Sequence, residues 1–305
     1  MTPYNGILNV DKPGGWTSHD VVGWTRRVLR EKRVGHAGTL DPMATGVLLI
    51  CVGQATRVAE YLTAGRKVYR AEAQLGATTE TYDADGEVVA TATVPPLTAA
   101  DLRSALSGFL GEIQQRPPAY SAIKQDGEAA YRKARRGEAV ELPARPVTID
   151  AIELLDWEPA AAKLTLEVTC GPGTYIRSLT HDLGQTLDCG AMLTRLTRIR
   201  SSQFAIEDAV GLDALAEAAR MGDLSRYLHP IEAALRQLTC VPVGTDEVAR
   251  LAHGQFIPCP LPPAVETGYA VDANATVIAI LTYRADQSAW QPDKVFQTSD
   301  PTNDR

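Results

Sequence analysis

The chain has 305 residues, 45% of them hydrophobic and 22% charged, and a mass of 32.8 kDa; this supports a sizeable core and excludes both a disulfide-stapled miniprotein and a disordered chain. The formal net charge is −7, yet basic and acidic residues balance through residue 206 and the excess acid lies wholly in residues 207–305. The total therefore does not exclude a polyanionic partner for the larger part of the chain.

In chain order, the apolar run Gly6 to Val10 reads as a strand entering the turn Asp11-Lys12-Pro13-Gly14-Gly15. Thr17 or Ser18 caps a helix to about Glu31, with Val21, Val22, Thr25, Val28 and Leu29 at helical spacing and arginines opposite. Gly35 to Gly46 is too rich in Gly, Thr and Pro for regular structure and runs into a buried strand, Val47 to Val52. Val68 to Leu75 alternates as a half-buried strand with Tyr69, Ala71, Ala73 and Leu75 on one face. A turn at Asp83-Ala84-Asp85-Gly86 leads to a second strand, Glu87 to Val94. Thr98 and Asp101 form a capping box for a helix ending near Gly111, and Glu128 to Arg136 reads as a short basic helix. Strands over Val147 to Leu155 and Leu164 to Cys170 follow, then an amphipathic helix marked by Ile176, Leu179, Leu183 and Leu187. From about Leu238 the chain turns acidic and proline-rich, with short strands at Tyr269 to Val271 and Val277 to Leu281, which predicts a small β-rich unit.

Arginines and lysines cluster at Arg26, Arg27, Arg30, Lys32 and Arg33; at Arg132, Lys133, Arg135 and Arg136; and at Arg195, Arg198 and Arg200. Each cluster reads either as a phosphate-facing patch or as a solvated face. The longest apolar run is far short of the ~20 residues of a membrane helix, and charges occupy the N-terminal stretch that a signal peptide keeps apolar; a cytoplasmic protein with no membrane partner is expected. Five cysteines and five histidines are scattered, without C-x-x-C or H-E-x-x-H, so no metal is expected.

Phosphate-loop and nucleophile-elbow motifs are absent, and Gly171-Pro172-Gly173 is a broken dinucleotide fingerprint with Ile176 where the third glycine belongs. What remains is the stretch Gly35 to Pro42, whose single acid, Asp41, precedes a proline and so stands on extended backbone. By itself such an aspartate reads as a turn former. Its neighbours are a basic helix, a buried strand, and two rings, His36 and Tyr69, of the kind that hold extruded bases.

Two N-terminal stretches, Lys12 to Ser18 and Arg33 to Leu48, resemble the signatures of the TruB family of tRNA pseudouridine-55 synthases. Matches continue in order through Lys67-Val68-Tyr69, Gln115 to Lys124, and Gly173 to Leu179 leading to Asp182-Leu183-Gly184; the ending Gln291 to Phe296 is similar to the family's C-terminal module. The resemblance implies an α+β fold: a pseudouridine synthase catalytic domain over 1–237, with a mixed, mainly antiparallel sheet flanked by helices, followed by a PUA-like RNA-binding β domain over 238–305. It implies isomerisation of one uridine in the T loop of tRNA, without cofactor, metal or obligate protein partner. Carried over by motif, Asp41 is the catalytic aspartate, Tyr69 the ring on the target base, Arg177 the partner of Asp41, and His36 the ring that helps extrude the nucleotide. Leu196, Lys12 and Tyr175 belong to the substrate site, with Arg30, Lys32, Arg33, Arg132 and Lys133 toward the RNA backbone. Read from chemistry alone, Lys12 can equally shape the loop, Tyr175 and Tyr69 be core, and Arg177 be a surface charge. A carboxylate can attack a sugar carbon or the pyrimidine ring, or stabilise an oxocarbenium-like centre. A hydrolytic glycosidase needs a second carboxylate, and none lies in this loop. The rival readings are a non-catalytic tRNA-binding or tRNA-folding protein and a base-removing glycosylase.

Overall fold

A computed structural model describes residues 4–121, 123–125, 127–259 and 261–296. Ala122 of the 115–124 motif lies outside them, as do the side chains of Lys124 and Arg135.

The apolar run becomes the strand Thr45–Val52, antiparallel to Gly6–Lys12 on one side and parallel, over Thr197 and Arg198, to Ala191–Ser201 on the other. Side chains alternate across a strand, and here both faces are covered. Leu48, Ile50 and Val52 enter one core with Leu8 and Val10, whereas Val47, Leu49 and Cys51 enter a second with Ile7. This double burial explains why the run lacks polar alternation. The ten-stranded sheet has the order 228–229, 6–12, 45–52, 191–201, 67–75, 163–170, 145–158, 111–115, with 34–37 added to 45–52 and 204–205 to 191–201. All its strand pairings other than 45–52 with 191–201 are antiparallel, as expected of a mixed, mainly antiparallel α+β domain. Gly46 makes the parallel contact possible: at φ +91°, a Cβ there would stand 2.4 Å from the Arg198 carbonyl oxygen.

Helix Ser18–Leu29 starts on a capping box, with Thr17 Oγ1 accepting from Asp20 N at 3.0 Å and Asp20 Oδ2 accepting from Thr17 N at 2.9 Å. It stops before the expected Glu31 because Arg30 turns left-handed, at φ 52°. Helix Ile176–Thr186 buries Ile176, Leu179 and Leu183 in the first core.

Three expectations are corrected. Gly35 to Ala37, expected in an irregular segment, belong to the strand Val34–Ala37 with His36 opposite Ile50, and the irregular segment begins at Gly38. The strand after the Asp83 turn is Val88–Thr91 and pairs with Ala77–Thr79 as a separate hairpin. The third basic cluster lies on the long central strand Ala191–Ser201; Arg195 and Arg200 are exposed there, whereas Arg198 is 1% exposed and leaves the surface patch.

Residues 239–295 form a second, five-stranded sheet of order 239–242, 267–271, 277–284, 289–295, 257–258. Tyr269, Val271, Ile280 and Phe296 share a core with Val47 and Leu49, so this sheet covers the back of the first. Arg57 fastens the junction, lying 5.1 Å from the Phe296 ring centroid and donating to Val295 O at 2.5 Å. No helix among the described residues is long and apolar enough to cross a membrane.

Candidate active site

The segment between Ala37 and Thr45 carries Asp41 and has no strand partners, so its carbonyls must be satisfied otherwise. Five consecutive ones are. Gly38 O and Thr39 O accept from the Arg198 guanidinium at 3.0 and 3.4 Å, Leu40 O from Ser18 Oγ at 3.1 Å, Asp41 O from Ala44 N at 3.1 Å, and Pro42 O from Gly15 N at 2.8 Å and Lys12 Nζ at 3.2 Å. Hydrogen bonding on this scale makes an irregular segment rigid enough to hold a reactive group.

Asp41 is met by Arg177 in a two-pronged pair, Nε to Oδ2 and Nη2 to Oδ1, both 3.0 Å. The Arg177 side chain is 4% exposed and the Asp41 side chain 32%, so the carboxylate faces the pocket while its partner is sealed behind it. Arg177 is itself fixed from behind: Nη1 donates to Thr81 O at 3.0 Å and lies 3.4 Å from Asp83 Oδ2, and Nη2 donates to Tyr120 O at 3.0 Å. A planar guanidinium satisfied on every edge holds a carboxylate in one orientation.

The pocket in front of Asp41 has a volume of about 230 Å³; Tyr69, Leu196, Tyr175, Arg198, Lys67 and the Gly171-Pro172-Gly173 turn are among its lining residues. Tyr69 lies on Lys67–Leu75, whose alternate residues are buried as expected. Its hydroxyl is 3.5 Å from Arg198 Nη1, and burial pushes the phenol above its ordinary value, so it stays protonated at neutral pH. The Tyr175 backbone is clamped by Gln115, which accepts from Tyr175 N at 2.8 Å and donates to Tyr175 O at 3.0 Å. The structure thus brings Asp41, Tyr69, Arg177, Leu196 and Tyr175 together.

Two expected members stand elsewhere. His36, on its strand, is not among the pocket-lining residues and has a buried Nδ1 without a hydrogen-bond partner; burial, with Arg198 nearby, pushes its pKa down. Lys12 is fully buried beneath the loop, its ammonium donating to Pro13 O at 2.8 Å, Trp16 O at 2.5 Å and Pro42 O at 3.2 Å. It supports the Asp41 segment from below.

Burial lowers the Lys12 pKa from 10.5 to about 8, against an opposing pull from Asp41. Below pH 8 the ammonium is charged in both folded and unfolded chains; between about 8 and 10.5 only the unfolded chain keeps the proton. Lys12 therefore contributes stability that rises with pH across that window. Urea unfolding of Lys12→Met against the parent should give a less positive slope of stability with pH from 8 to 10.5; identical slopes would show that the ammonium is not desolvated.

Sequence reasoning missed three site residues. Asp83, 4% exposed and in a turn by sequence, is a second carboxylate on Arg177, on the far side of the guanidinium from Asp41, which stays the single acid of its loop. The other Asp83 oxygen accepts from Thr81 Oγ1 at 2.5 Å and Asp85 N at 3.2 Å, and Asp83 is not among the pocket-lining residues. Arg198 was read as surface charge, and Lys67 as a motif neighbour of Tyr69. Lys67, 4% exposed, has its pKa lowered to about 8 by burial and donates to Gly65 O at 2.5 Å and to Thr63 O. Of the surface candidates, Arg30, Lys32, Arg33 and Arg132 are exposed and Lys133 is half-buried. Arg136, from the second cluster, is committed to Glu128 and Glu138. No cluster of metal ligands occurs among the described residues.

A TruB family pseudouridylate synthase N-terminal domain matches residues 26–176, and a tRNA pseudouridylate synthase B C-terminal domain matches residues 177–236. Fold and site thus define an isomerase of the pseudouridylate synthase class. The chain is 44% identical over 295 residues, 96% of its own length and 94% of the relative's, to "tRNA pseudouridine synthase B" of Xanthomonas campestris pv. campestris (strain 8004). It is 41% identical, over 96% of both chains, to the protein of that name from Ruegeria sp. (strain TM1040). Among solved structures, a Cbf5–Nop10–Gar1 complex contains a chain that superposes with a TM-score of 0.75 at 27% identity, covering 96% of this chain and 85% of that one. With near-complete coverage at this identity, the chain belongs to the TruB family.

Proposed function

We propose that the chain converts uridine 55 in the T loop of tRNA to pseudouridine, with Asp41 as the catalytic carboxylate. The observation that carries the reading is the Asp41–Arg177 pair, a carboxylate gripped through both oxygens at the edge of a pocket walled by Tyr69 and Leu196. The C1′–N1 bond breaks, the uracil turns, C5 bonds to C1′, and C5 gives up a proton while N1 gains one, so no oxidant or reductant is consumed. Asp41 acts on the sugar carbon or the pyrimidine ring, or stabilises positive charge at C1′; Arg177 keeps it aimed. Tyr69 packs against the base, Leu196 and Tyr175 complete the wall, and His36, on the strand beside the loop, assists extrusion of the nucleotide. With the base held against these walls, rejoining is favoured over hydrolysis.

The tRNA substrate is supported by the names of the relatives, and RNA by a further solved structure, "H/ACA RNP bound to a substrate RNA containing 2'-deoxyuridine", whose similar chain is 25% identical with a TM-score of 0.75. Residues 1–237 form the catalytic domain in this reading and 238–305 a PUA-like RNA-binding domain, in a cytoplasmic enzyme without metal or cofactor. The test is tritium release from C5-labelled uridine in a tRNA transcript, with EDTA present and free uracil counted alongside. Release of tritium without uracil is expected; free uracil would establish a glycosylase, and binding without either product a non-catalytic tRNA-binding protein.

Arg30, Lys32, Arg33, Arg132 and Lys133 are assigned to the RNA backbone. Affinity for tRNA should then fall steeply with salt, and neutralising Arg30 with Lys32 should reduce the slope of log K against log salt by roughly 1–2, at ~0.9 per phosphate contact. A slope equal to the parent's would return both residues to a solvated face.

A further inference from the structure

Tyr82 is held at φ 64°, a left-handed backbone that bulky side chains rarely adopt and that persists only where the surroundings impose it. On one side its carbonyl accepts from Leu193 N at 3.0 Å while Ala84 N donates to Leu193 O at 2.8 Å, tying the bend to the strand that carries Leu196 and Arg198. On the other, its ring lies flat on His181, with centroids 3.8 Å apart and planes 13° apart. His181 leaves its Nδ1 buried without a hydrogen-bond partner, and burial pushes its pKa below the ordinary histidine value. Two local costs, a left-handed tyrosine and an unsatisfied nitrogen, therefore meet in one ring pair.

The location of the pair connects these costs to the site. His181 follows Arg177 by four residues in Ile176–Thr186, so both side chains leave the same helix face one turn apart. The residues flanking Tyr82 are the two that hold Arg177 Nη1, Thr81 through its carbonyl and Asp83 through its carboxylate. We propose that the Tyr82–His181 stack is a clasp that fixes the Thr81–Asp83 bend to the Arg177 helix and so sets the plane of the guanidinium presented to Asp41. Both rings are then positioning residues, on the reading of Asp41 and Arg177 given above. Without the clasp Tyr82 relaxes to negative φ, Thr81 O and Asp83 turn away, and both N–H vectors aimed at Asp41 rotate with them. A loss of aim lowers turnover and leaves the bound RNA surface unchanged.

The test uses the full chain with Tyr82→Ala, which removes one ring and keeps the cost of positive φ, His181→Ala, which removes the other ring, and His181→Phe, which restores a flat ring without the unsatisfied nitrogen. Two readouts are taken: kcat and KM for tRNA by tritium release, and solvent exchange of the Arg177 Nε–H by ¹⁵N NMR, assigned with Arg177→Lys. Tyr82→Ala and His181→Ala should lower kcat at least tenfold with KM within about twofold, and speed the exchange at least tenfold; His181→Phe should stay near the parent on both. Parental kcat and exchange in Tyr82→Ala and His181→Ala would overturn the clasp, as would a change confined to KM, which marks an RNA contact. His181→Phe as impaired as His181→Ala would also overturn it, by showing that the imidazole itself is required. A parent without tritium release would sink the functional reading alone, because the exchange rates still decide whether the rings hold Arg177.

Discussion

Replacing Asp41 by Asn is expected to abolish multiple-turnover pseudouridine formation, leaving only a residual single-turnover rate, with tRNA affinity within tenfold of the parent, about 1.4 kcal/mol. The substitution keeps the size of the side chain and its ability to hydrogen-bond, and removes the anionic oxygen on which attack or charge stabilisation depends. The loop should survive the change, because its shape is fixed by main-chain carbonyls from Gly38 to Pro42 held by Arg198, Ser18, Ala44, Gly15 and Lys12. An Asn carbonyl can still accept from one prong of Arg177. Single-turnover assays with excess enzyme read any residual conversion, and filter binding reads affinity. Conversion near the parental rate would overturn the mechanism; collapse of binding together with turnover would make Asp41 a structural turn residue and move the chemistry elsewhere.

How much of this site was legible in the sequence depended on how far local pattern survives into three dimensions. Asp41 stood out because Gly35 to Pro42 is an unbroken signature, and Tyr69 because Lys67–Leu75 alternates without interruption. The strand Ala191–Ser201 escaped notice for a physical reason: its ladder with Lys67–Leu75 shifts register between Leu193 and Arg195 and again between Arg198 and Arg200. Each irregularity inserts a residue and moves the buried face by one position, so Leu193, Leu196, Arg198 and Ser201 are buried without a period of two. Arg198 then looks like one of several surface arginines, although it carries the Gly38 and Thr39 carbonyls. Asp83 was hidden differently. Asp-Ala-Asp-Gly is a turn in sequence and in the fold, and only the packing of that turn on Ile176–Thr186 brings a carboxylate to Arg177. The doubly covered strand Thr45–Val52 was legible as buried, but the run alone does not say that its second face meets Tyr269, Val271 and Phe296.

Arg177→Lys should lower turnover by at least about a hundredfold, the scale expected when a reacting group is misplaced by about 1 Å, with tRNA affinity again within tenfold. Arg177 makes four hydrogen bonds in one plane, two to Asp41 and one each to Thr81 O and Tyr120 O, and adds an ion pair with Asp83. An ammonium has three donors diverging from one point and cannot reach Asp41 through both oxygens while still holding Thr81 and Asp83. The positive charge is kept, so Arg177→Lys isolates geometry. Arg177→Met removes the charge as well and leaves Asp83, 4% exposed, without its cation; breaking such a buried pair costs about 3–5 kcal/mol, which urea unfolding would read as a loss absent or much smaller in Arg177→Lys. If the arginine works by aiming Asp41, Asp41→Asn with Arg177→Lys should be no slower in single turnover than Asp41→Asn alone, since the second change has nothing left to misplace. Further slowing in the double variant would give Arg177 a role of its own at the reacting atoms, and parental turnover in Arg177→Lys would remove it from the site.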